Sequence, residues 1–179
     1  LTVLRSSSDL LAQEESPTKR AQYLDNIRAE SQRMRRLVEG MLTLARGDSG
    51  RAKTPMEPVA LSELANETAM SFEPVAFEAG HPLEYELAEN LTVRGGADEL
   101  RQVLAILLDN AVKYAPAGAP VRLTLRESGR DAALEVENPG DPIPPEQLAH
   151  LFDRFYRADA SRSDHEGCGL GLSIAQSIV

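Results

Sequence analysis

Residues 97–114 read ADELRQVLAILLDNAVKY, and the spacing of their apolar side chains predicts a helix with one buried face. The side chains of that face are Leu100, Val103, Leu104, Leu107, Leu108 and Ala111. Asn110 and Lys113 lie three residues apart near the end of the helix, so they share a side of it. An amide oxygen suits a hard cation such as Mg²⁺, and a lysine suits a phosphate. Taken alone, however, the pair is better explained as a solvated helix face.

The segments around this helix predict an α+β domain. Alternating apolar residues predict strands at 83–87, 90–94, 121–127 and 132–137. Helical patterns cover residues 61–79, with Ser62 as the expected N-cap, then residues 144–155 and the chain from Leu170 onward. This order predicts a two-layer α/β sandwich, with helices on one face of a mixed sheet.

The first 46 residues predict an antiparallel helical hairpin that is interrupted at Ser16-Pro17. In its longer helix, residues 18–46, an apolar seam recurs at spacings of three, four and seven: Tyr23, Ile27, Met34, Leu37, Met41 and Leu44. Two helices cannot bury such a seam completely, so we expect a homodimer in which two copies form a four-helix bundle. Residues 47–58 are polar and punctuated by Gly and Pro, which predicts a linker before a second domain at 59–179.

Two further motifs are candidates for a ligand site. Asn138 follows a predicted strand and runs into Pro139-Gly140, where an amide could reach a base edge. By itself this stretch is more simply a turn. Gly167, Gly169 and Gly171 precede the last predicted helix. Backbone N–H groups at a helix N-terminus suit phosphates, and three alternating glycines make that interpretation modestly better than a flexible loop.

Composition restricts the possible partners. Acidic residues number 28 and basic residues 19, for a formal net charge of −9, which disfavours nucleic acid because a phosphate backbone must be met by clustered cations. Cys168 is the single cysteine, so no internal disulfide can form. No apolar run approaches the roughly 20 residues that span a bilayer.

Four segments, in order, resemble the conserved boxes of sensor histidine kinases. LLDNAVKYAP at 107–116 is similar to the N box, and VENPGDPI at 136–143 to the G1 box. LFDRFYR at 151–157 is similar to the F box, and GCGLGL at 167–172 to the G2 box. Leu1-Thr2 resembles the residues that follow the phosphoacceptor histidine motif.

The resemblance implies a Bergerat-type ATP-binding domain behind a dimerising hairpin, with ATP and Mg²⁺ as cofactors. Asn110, Lys113 and Arg157 are the implied catalytic residues, and Asn110 is also the implied Mg²⁺ ligand. Asn138 would read the adenine amino group, and Arg157 with the loop to Glu166 would form a mobile lid over the triphosphate. The full set of implied nucleotide contacts is Asn110, Lys113, Tyr114, Asn138, Gly140, Ile143, Tyr156, Arg157, Gly167, Gly169, Leu170 and Gly171.

The implied activity is that of an ATP-dependent protein-histidine kinase. The γ-phosphoryl group would pass to a histidine just upstream of this chain and then to an aspartate on a response regulator, which would dock on the hairpin. The resemblance also implies a cytoplasmic location, with a membrane anchor elsewhere in a longer protein. No membrane contact is expected in this part.

Three departures from the family pattern keep alternatives open. Ile106 stands one turn before Asn110, where the family often has a second amide, and Asn138 replaces the more usual aspartate. The third departure is that the acceptor histidine is not among residues 1–179. The histidines at 81, 150 and 165 all fall in the second domain, where we expect surface or structural roles. One alternative is therefore a degenerate, ATP-binding scaffold without phosphoryl transfer. A chaperone- or topoisomerase-like ATPase is a weaker alternative, because a hairpin precedes the ATP domain.

Overall fold

The computed structural model describes residues 2–14, 16–48, 55–157 and 169–179. Helix α1, Thr2–Gln13, and helix α2, Pro17–Asp48, pack against each other as the predicted hairpin. Arg20, in the first turns of α2, donates hydrogen bonds to the carbonyls of Leu11, at 3.3 Å, and Glu14, at 3.0 Å. These bonds satisfy carbonyls that the end of a helix leaves without partners. The side chain therefore stabilises the reversal between the two helices.

The second part of the chain is an α+β domain, as predicted. Its elements are β1 Glu57–Ala60, α3 Leu61–Glu78, β2 Leu83–Leu87, β3 Thr92–Gly95, α4 Ala97–Tyr114, β4 Val121–Ser128, β5 Asp131–Glu137, α5 Pro145–Leu148 and α6 Gly171–Ile178. Strands β2, β4 and β5 form a mixed sheet in that order, with β2 parallel and β5 antiparallel to β4. Strands β1 and β3 form a separate antiparallel pair. No helix in the described ranges is both long and apolar enough to cross a membrane.

The core lies between the three-stranded sheet and helices α3 and α4. Along β4, Val121, Leu123 and Leu125 are buried, whereas the alternate residues face outward, as the two-residue period of a strand requires. Leu104 and Leu108 of α4 are fully buried against this face. Each such side chain contributes roughly 1.5–3 kcal/mol by leaving water. The predicted apolar face of α4 is thus the face that attaches it to the sheet.

The outer face of the same sheet is polar. Arg122 donates a hydrogen bond to Glu84 on the neighbouring strand at 2.9 Å, and this bond raises the pKa of the Arg122 guanidinium above its ordinary value. Arg126 pairs in the same way with Glu135 of β5. One covered and one charged face are typical of a two-layer domain.

A second apolar cluster joins the hairpin to the α+β domain. Leu44 of α2 packs with Leu170 and Ile174 at the start of α6. Gly40 permits the close approach, because a Cβ there would lie 3.1 Å from Ile174 Cδ1 and 3.3 Å from Leu170 Cδ1. Leu37, Ile106 and Ile178 border the cluster. Part of the seam predicted for helix pairing is therefore occupied by α6.

Ser62 is not the N-cap of α3, contrary to the sequence prediction. The helix begins at Leu61, and its N-cap position, Ala60, makes no side-chain capping bond. The Ser62 hydroxyl instead donates to the Ala88 carbonyl at 2.6 Å and accepts from the Leu91 amide at 2.9 Å. A serine at a helix start can either cap the helix or bond to another segment. Here Ser62 bonds to the connection between β2 and β3.

The helix predicted over residues 144–155 is wrong in extent. Only α5, four residues long, is helical, and the chain continues to Phe155 through turns. Bonds between residues three apart, such as that from the Asp153 amide to the His150 carbonyl at 2.9 Å, replace the helical pattern. Phe155 then takes a φ of 66°, which no right-handed helix allows.

Strand β1 was not predicted from the sequence. Its first two residues fall in the stretch assigned to the linker, and its Pro58 is unusual within a strand. The predicted linker 47–58 also overlaps the end of α2, while residues 49–54 lie outside the described part of the chain. The division into 1–46, 47–58 and 59–179 stays a prediction.

The histidines expected to have surface or structural roles differ in setting. His81 is buried, and its Nδ1 lies 3.0 Å from the Ala119 carbonyl oxygen. This contact ties the start of β2 to the connection between α4 and β4. His150 is on the surface, and His165 lies outside the described residues.

A backbone junction joins the two sides of the segment 158–168, whose residues are not described. The Phe155 amide donates to the Gly169 carbonyl at 2.8 Å. Gly169 has a φ of 67°, and a Cβ on it would lie 2.7 Å from the Tyr156 carbonyl oxygen and 2.8 Å from the Phe155 carbonyl carbon. A side chain at position 169 would therefore meet backbone, which cannot rotate away.

The junction predicts a difference between two glycine variants. Gly118 has a φ of 76° but open space around it, so Gly118→Ala should lose about 1–2 kcal/mol of unfolding free energy from strain alone. Gly169→Ala adds the backbone clash and should lose about 2–5 kcal/mol in total. Urea-induced unfolding measures both losses. Equal losses would show that the close approach at Gly169 is unimportant.

Candidate nucleotide-binding site

The end of α4 carries the first predicted site residues. Leu108, Ala111 and Val112 face the core, which leaves Asn110 and Lys113 half-buried at its border. Lys113 forms a short ion pair with Asp109, four residues earlier. The end of α4 therefore offers the Asn110 amide and the Lys113 ammonium group, whose charge Asp109 already balances. A ligand phosphate would have to share Lys113 with Asp109 or displace it.

The register of β4 and β5 brings Asn138 to the same edge of the domain. Arg122 pairs with Glu137, so Asn138 leaves the sheet beside the first residue of β4. A six-residue connection, 115–120, links that residue to the end of α4. The Asn138 Nδ2 donates to the Pro139 carbonyl at 3.0 Å, and this bond orders the turn.

Helix α6 contacts α4 one turn before Asn110. A Cβ on Gly171 would lie 3.2 Å from Ile106 Cγ2, so the backbone of α6 lies directly on that side chain. The N-cap position, Leu170, makes no side-chain capping bond, and the first amides of α6 have no partner within the helix. Amides of this kind, with the positive end of the helix dipole, suit an anion.

The F-box residues adjoin α6 through the Phe155–Gly169 junction. Tyr156 and Arg157 are half-buried immediately after it. Helix α4 therefore touches the G2 box at Ile106, one residue before the N box begins, and the G2 box touches the F box at Gly169. Direct contacts link the F box, the G2 box and helix α4 in series, and the G1 box follows β5, which pairs with β4.

The predicted contacts are unevenly placed within this arrangement. Tyr114 and Ile143 are 55% and 45% exposed, and Gly140 is exposed with space for a side chain, since a Cβ would meet only Asn138 Nδ2 at 3.8 Å. The Leu170 side chain is buried against α2, which leaves its backbone alone for a ligand. Gly167 and the predicted lid through Glu166 lie outside the described residues.

Two features of the site were missed in the sequence. Asp109 was not identified as the partner of Lys113, although its four-residue spacing is the usual signal for a helical ion pair. Ile106 was recognised only as a missing ligand. In the structure it has a packing role between α4 and α6, which a single sequence does not reveal.

The residues present fit a magnesium ion only in combination with a nucleotide. No group of three histidine, cysteine or carboxylate side chains that could hold a metal occurs within the described ranges. Asn110 offers one neutral oxygen, and Ile106 offers none. Because Mg²⁺ keeps several waters and is commonly completed by substrate phosphates, this set suits an ion that arrives with a triphosphate.

Comparison with known proteins identifies two families along the chain. Residues 95–179 match the histidine kinase-, DNA gyrase B- and HSP90-like ATPase family, and residues 1–50 match the His Kinase A (phospho-acceptor) domain. The sensor protein DltS of Streptococcus agalactiae is 34% identical over 157 residues, which are 88% of this chain and 40% of DltS. The sensor histidine kinase CusS of Escherichia coli is 37% identical over 151 residues, which are 84% of this chain and 31% of CusS.

A solved structure gives the same fold. The Acinetobacter baumannii histidine kinase AdeS superposes with a TM-score of 0.74 over 99% of this chain and 81% of that one, at 21% sequence identity. In sequence, the chain spans less than half the length of DltS and of CusS. Its helical hairpin and its α+β domain correspond, in order, to the phospho-acceptor and ATPase families. The chain belongs to the sensor histidine kinases, of which it comprises a phospho-acceptor-type hairpin and an ATPase domain.

Proposed function

We propose that this chain is the kinase core of a two-component sensor and that it uses Mg²⁺-ATP to phosphorylate a histidine just upstream of Leu1. The phosphoryl group would then pass to an aspartate of a response regulator that docks on the hairpin. The observation that carries the proposal is the contact of α4 with α6 at Ile106 and Gly171. It sets the amide and cation of one motif beside the glycine-rich helix start of another.

In this proposal each residue acts by position and charge. Asn138 binds the adenine edge, and the first amides of α6 bind phosphate oxygens. Lys113 moves from Asp109 to the phosphates, and Arg157 neutralises charge that develops on the γ-phosphoryl group. The magnesium ion, held by Asn110 and the phosphates, would neutralise further charge. A histidine nitrogen attacks the γ-phosphorus, the bond between that phosphorus and the β–γ bridging oxygen breaks, and ADP leaves. Catalysis of this kind depends mainly on orientation and electrostatics.

The match to the phospho-acceptor domain implies a homodimer. We place its interface on the part of α2 that neither α1 nor α6 covers. Leu24, Val38 and Leu42 are 42%, 57% and 52% exposed, and their spacing of 14 and 18 residues sets them on one face of the helix. A second copy of the hairpin would bury this face in a four-helix bundle.

We further propose a cytoplasmic site of action and a membrane anchor outside residues 1–179. Support comes from the relatives, whose names identify sensor proteins, and from the fraction of their length that this chain spans. The response regulator is proposed on the same family grounds.

One observation favours a second candidate, an ATP-binding scaffold without phosphoryl transfer. Ile106 occupies a ligand position of the family and is packed against Gly171, so the site has one amide fewer with which to hold a metal. A chain of this kind would bind nucleotide but would not label a histidine.

The site assignment predicts a selective effect at Asn110. Asn110→Ala should weaken Mg²⁺-dependent ATP binding by at least about tenfold, since even partners outside the first coordination shell have effects of that size. Asn66→Ala removes an exposed amide from another helix and serves as the matched control. Calorimetric titration with ATP, with and without Mg²⁺, measures the effect. Unchanged affinity in Asn110→Ala, with unchanged kinase activity of the longer protein, would contradict the assignment.

The proposed interface predicts a change in oligomeric state. Val38→Asp should convert the dimer to a monomer at micromolar concentration, because burying an unpaired carboxylate is strongly unfavourable. Gln32→Asp places the same charge on a different, exposed face of α2 and should leave the dimer intact. Multi-angle light scattering distinguishes the outcomes. A wild-type monomer at high concentration would count against the interface.

A further inference from the structure

A three-residue cluster of His150, Asp153 and Tyr156 lies next to the site, and of these only Tyr156 is a predicted nucleotide contact. The His150 Nδ1 is 2.7 Å from the Asp153 Oδ2. The His150 ring also lies against Tyr156, with centroids 5.6 Å apart and planes inclined by 40°. One imidazole therefore touches two residues of the F-box turn, three and six positions later.

The same turn is closed by backbone bonds of its own and donates one bond to Gly169, two residues before α6. The Asp153 amide donates to the His150 carbonyl at 2.9 Å, and the Tyr156 amide to the Asp153 carbonyl at 3.2 Å. Between them, Phe155 holds its positive φ and donates to Gly169. Positive φ is unfavourable for a bulky residue and persists only where the surroundings over-determine it. The His150 contacts hold the turn on both sides of Phe155.

We propose that His150 is a positioning residue that fixes the F-box turn and thereby sets Tyr156 and Arg157 in the nucleotide site. It does not touch the nucleotide in this proposal; it acts through Asp153 and the Tyr156 ring. That the ligand is a nucleotide rests on the proposed function. The effect of His150 on the turn does not depend on ATP.

An ordinary surface ion pair is the competing explanation of the His150–Asp153 contact. The two side chains are 57% and 60% exposed, and pairs of that kind contribute little to stability. Two observations favour the positioning role. The imidazole makes a second, aromatic contact in the same turn, and that turn contains one of two non-glycine residues with positive φ in the described chain.

Three substitutions separate the two contacts. His150→Phe keeps a ring for Tyr156 and removes the partner of Asp153. His150→Asn keeps a donor for Asp153 and removes the ring, and His150→Ala removes both. Glu146→Ala changes an exposed residue in α5 and is the matched control.

The first measurement is hydrogen exchange of the Phe155 amide in the 179-residue chain without nucleotide. Exchange should be about tenfold faster in His150→Ala than in wild type and intermediate in the Asn and Phe variants, because each restores one contact. The midpoint of thermal unfolding should not differ from that of Glu146→Ala. Unchanged Phe155 exchange in His150→Ala overturns the inference, whether or not the protein binds ATP.

The second measurement is the affinity for a non-hydrolysable ATP analogue with Mg²⁺. His150→Ala should bind it about three- to tenfold more weakly than wild type, and the Asn and Phe variants should again be intermediate. If exchange is faster but affinity equals that of a binding-competent wild type, the role in the nucleotide site is overturned. If wild type fails to bind while Phe155 exchange responds as expected, the positioning of the turn stands and the proposed function fails.

Discussion

Helix α4 has to satisfy two different surfaces within five turns, and the arrangement of the domain depends on how it does so. Leu104 and Leu108 attach it to the sheet, while Ile106, on another side, accepts the backbone of α6. Asn110 and Lys113 follow Ile106 on that same side, four and seven residues later, and border the proposed nucleotide site. Because successive residues are about 100° apart on a helix, these surfaces cannot be adjusted separately. A rotation of α4 that exposed Asn110 further would also disturb its contacts with the sheet and α6.

The sequence predicted those parts of the fold that depend on local periodicity. Helix α4 and the strand at 83–87 were placed correctly because each carries its apolar residues on one face. That face is buried in α4 and partly buried, at Leu83 and Leu87, in the strand. Ser62 was misassigned because its partners come from a connection more than 25 residues later, beyond the reach of a local capping rule. The end of α5 was misplaced for the same reason, since Phe155 depends on a bond to Gly169. The sequence motifs located the candidate site. The contacts inside it join residues that are distant in sequence, so local patterns did not reveal them.

The contact between α2 and α6 gives the nucleotide site a physical connection to the hairpin. Leu44 packs on Leu170 and Ile174, and Ile106 borders the same cluster from α4. A shift of α2 along its axis would therefore press on the helix whose first amides are proposed to bind phosphate. Ile106 contributes an apolar side chain to this connection.

The open side of the three-stranded sheet has a consequence for association between molecules. Strand β2 is one of its two outer strands, and within the described residues no other strand pairs with its free side. Exposed edges of this kind can pair with another molecule, and charged side chains oppose that association. Glu84 and Glu86 supply negative charge here. Loss of this negative charge, for example by substitution of both residues, would therefore favour edge-to-edge association of two molecules.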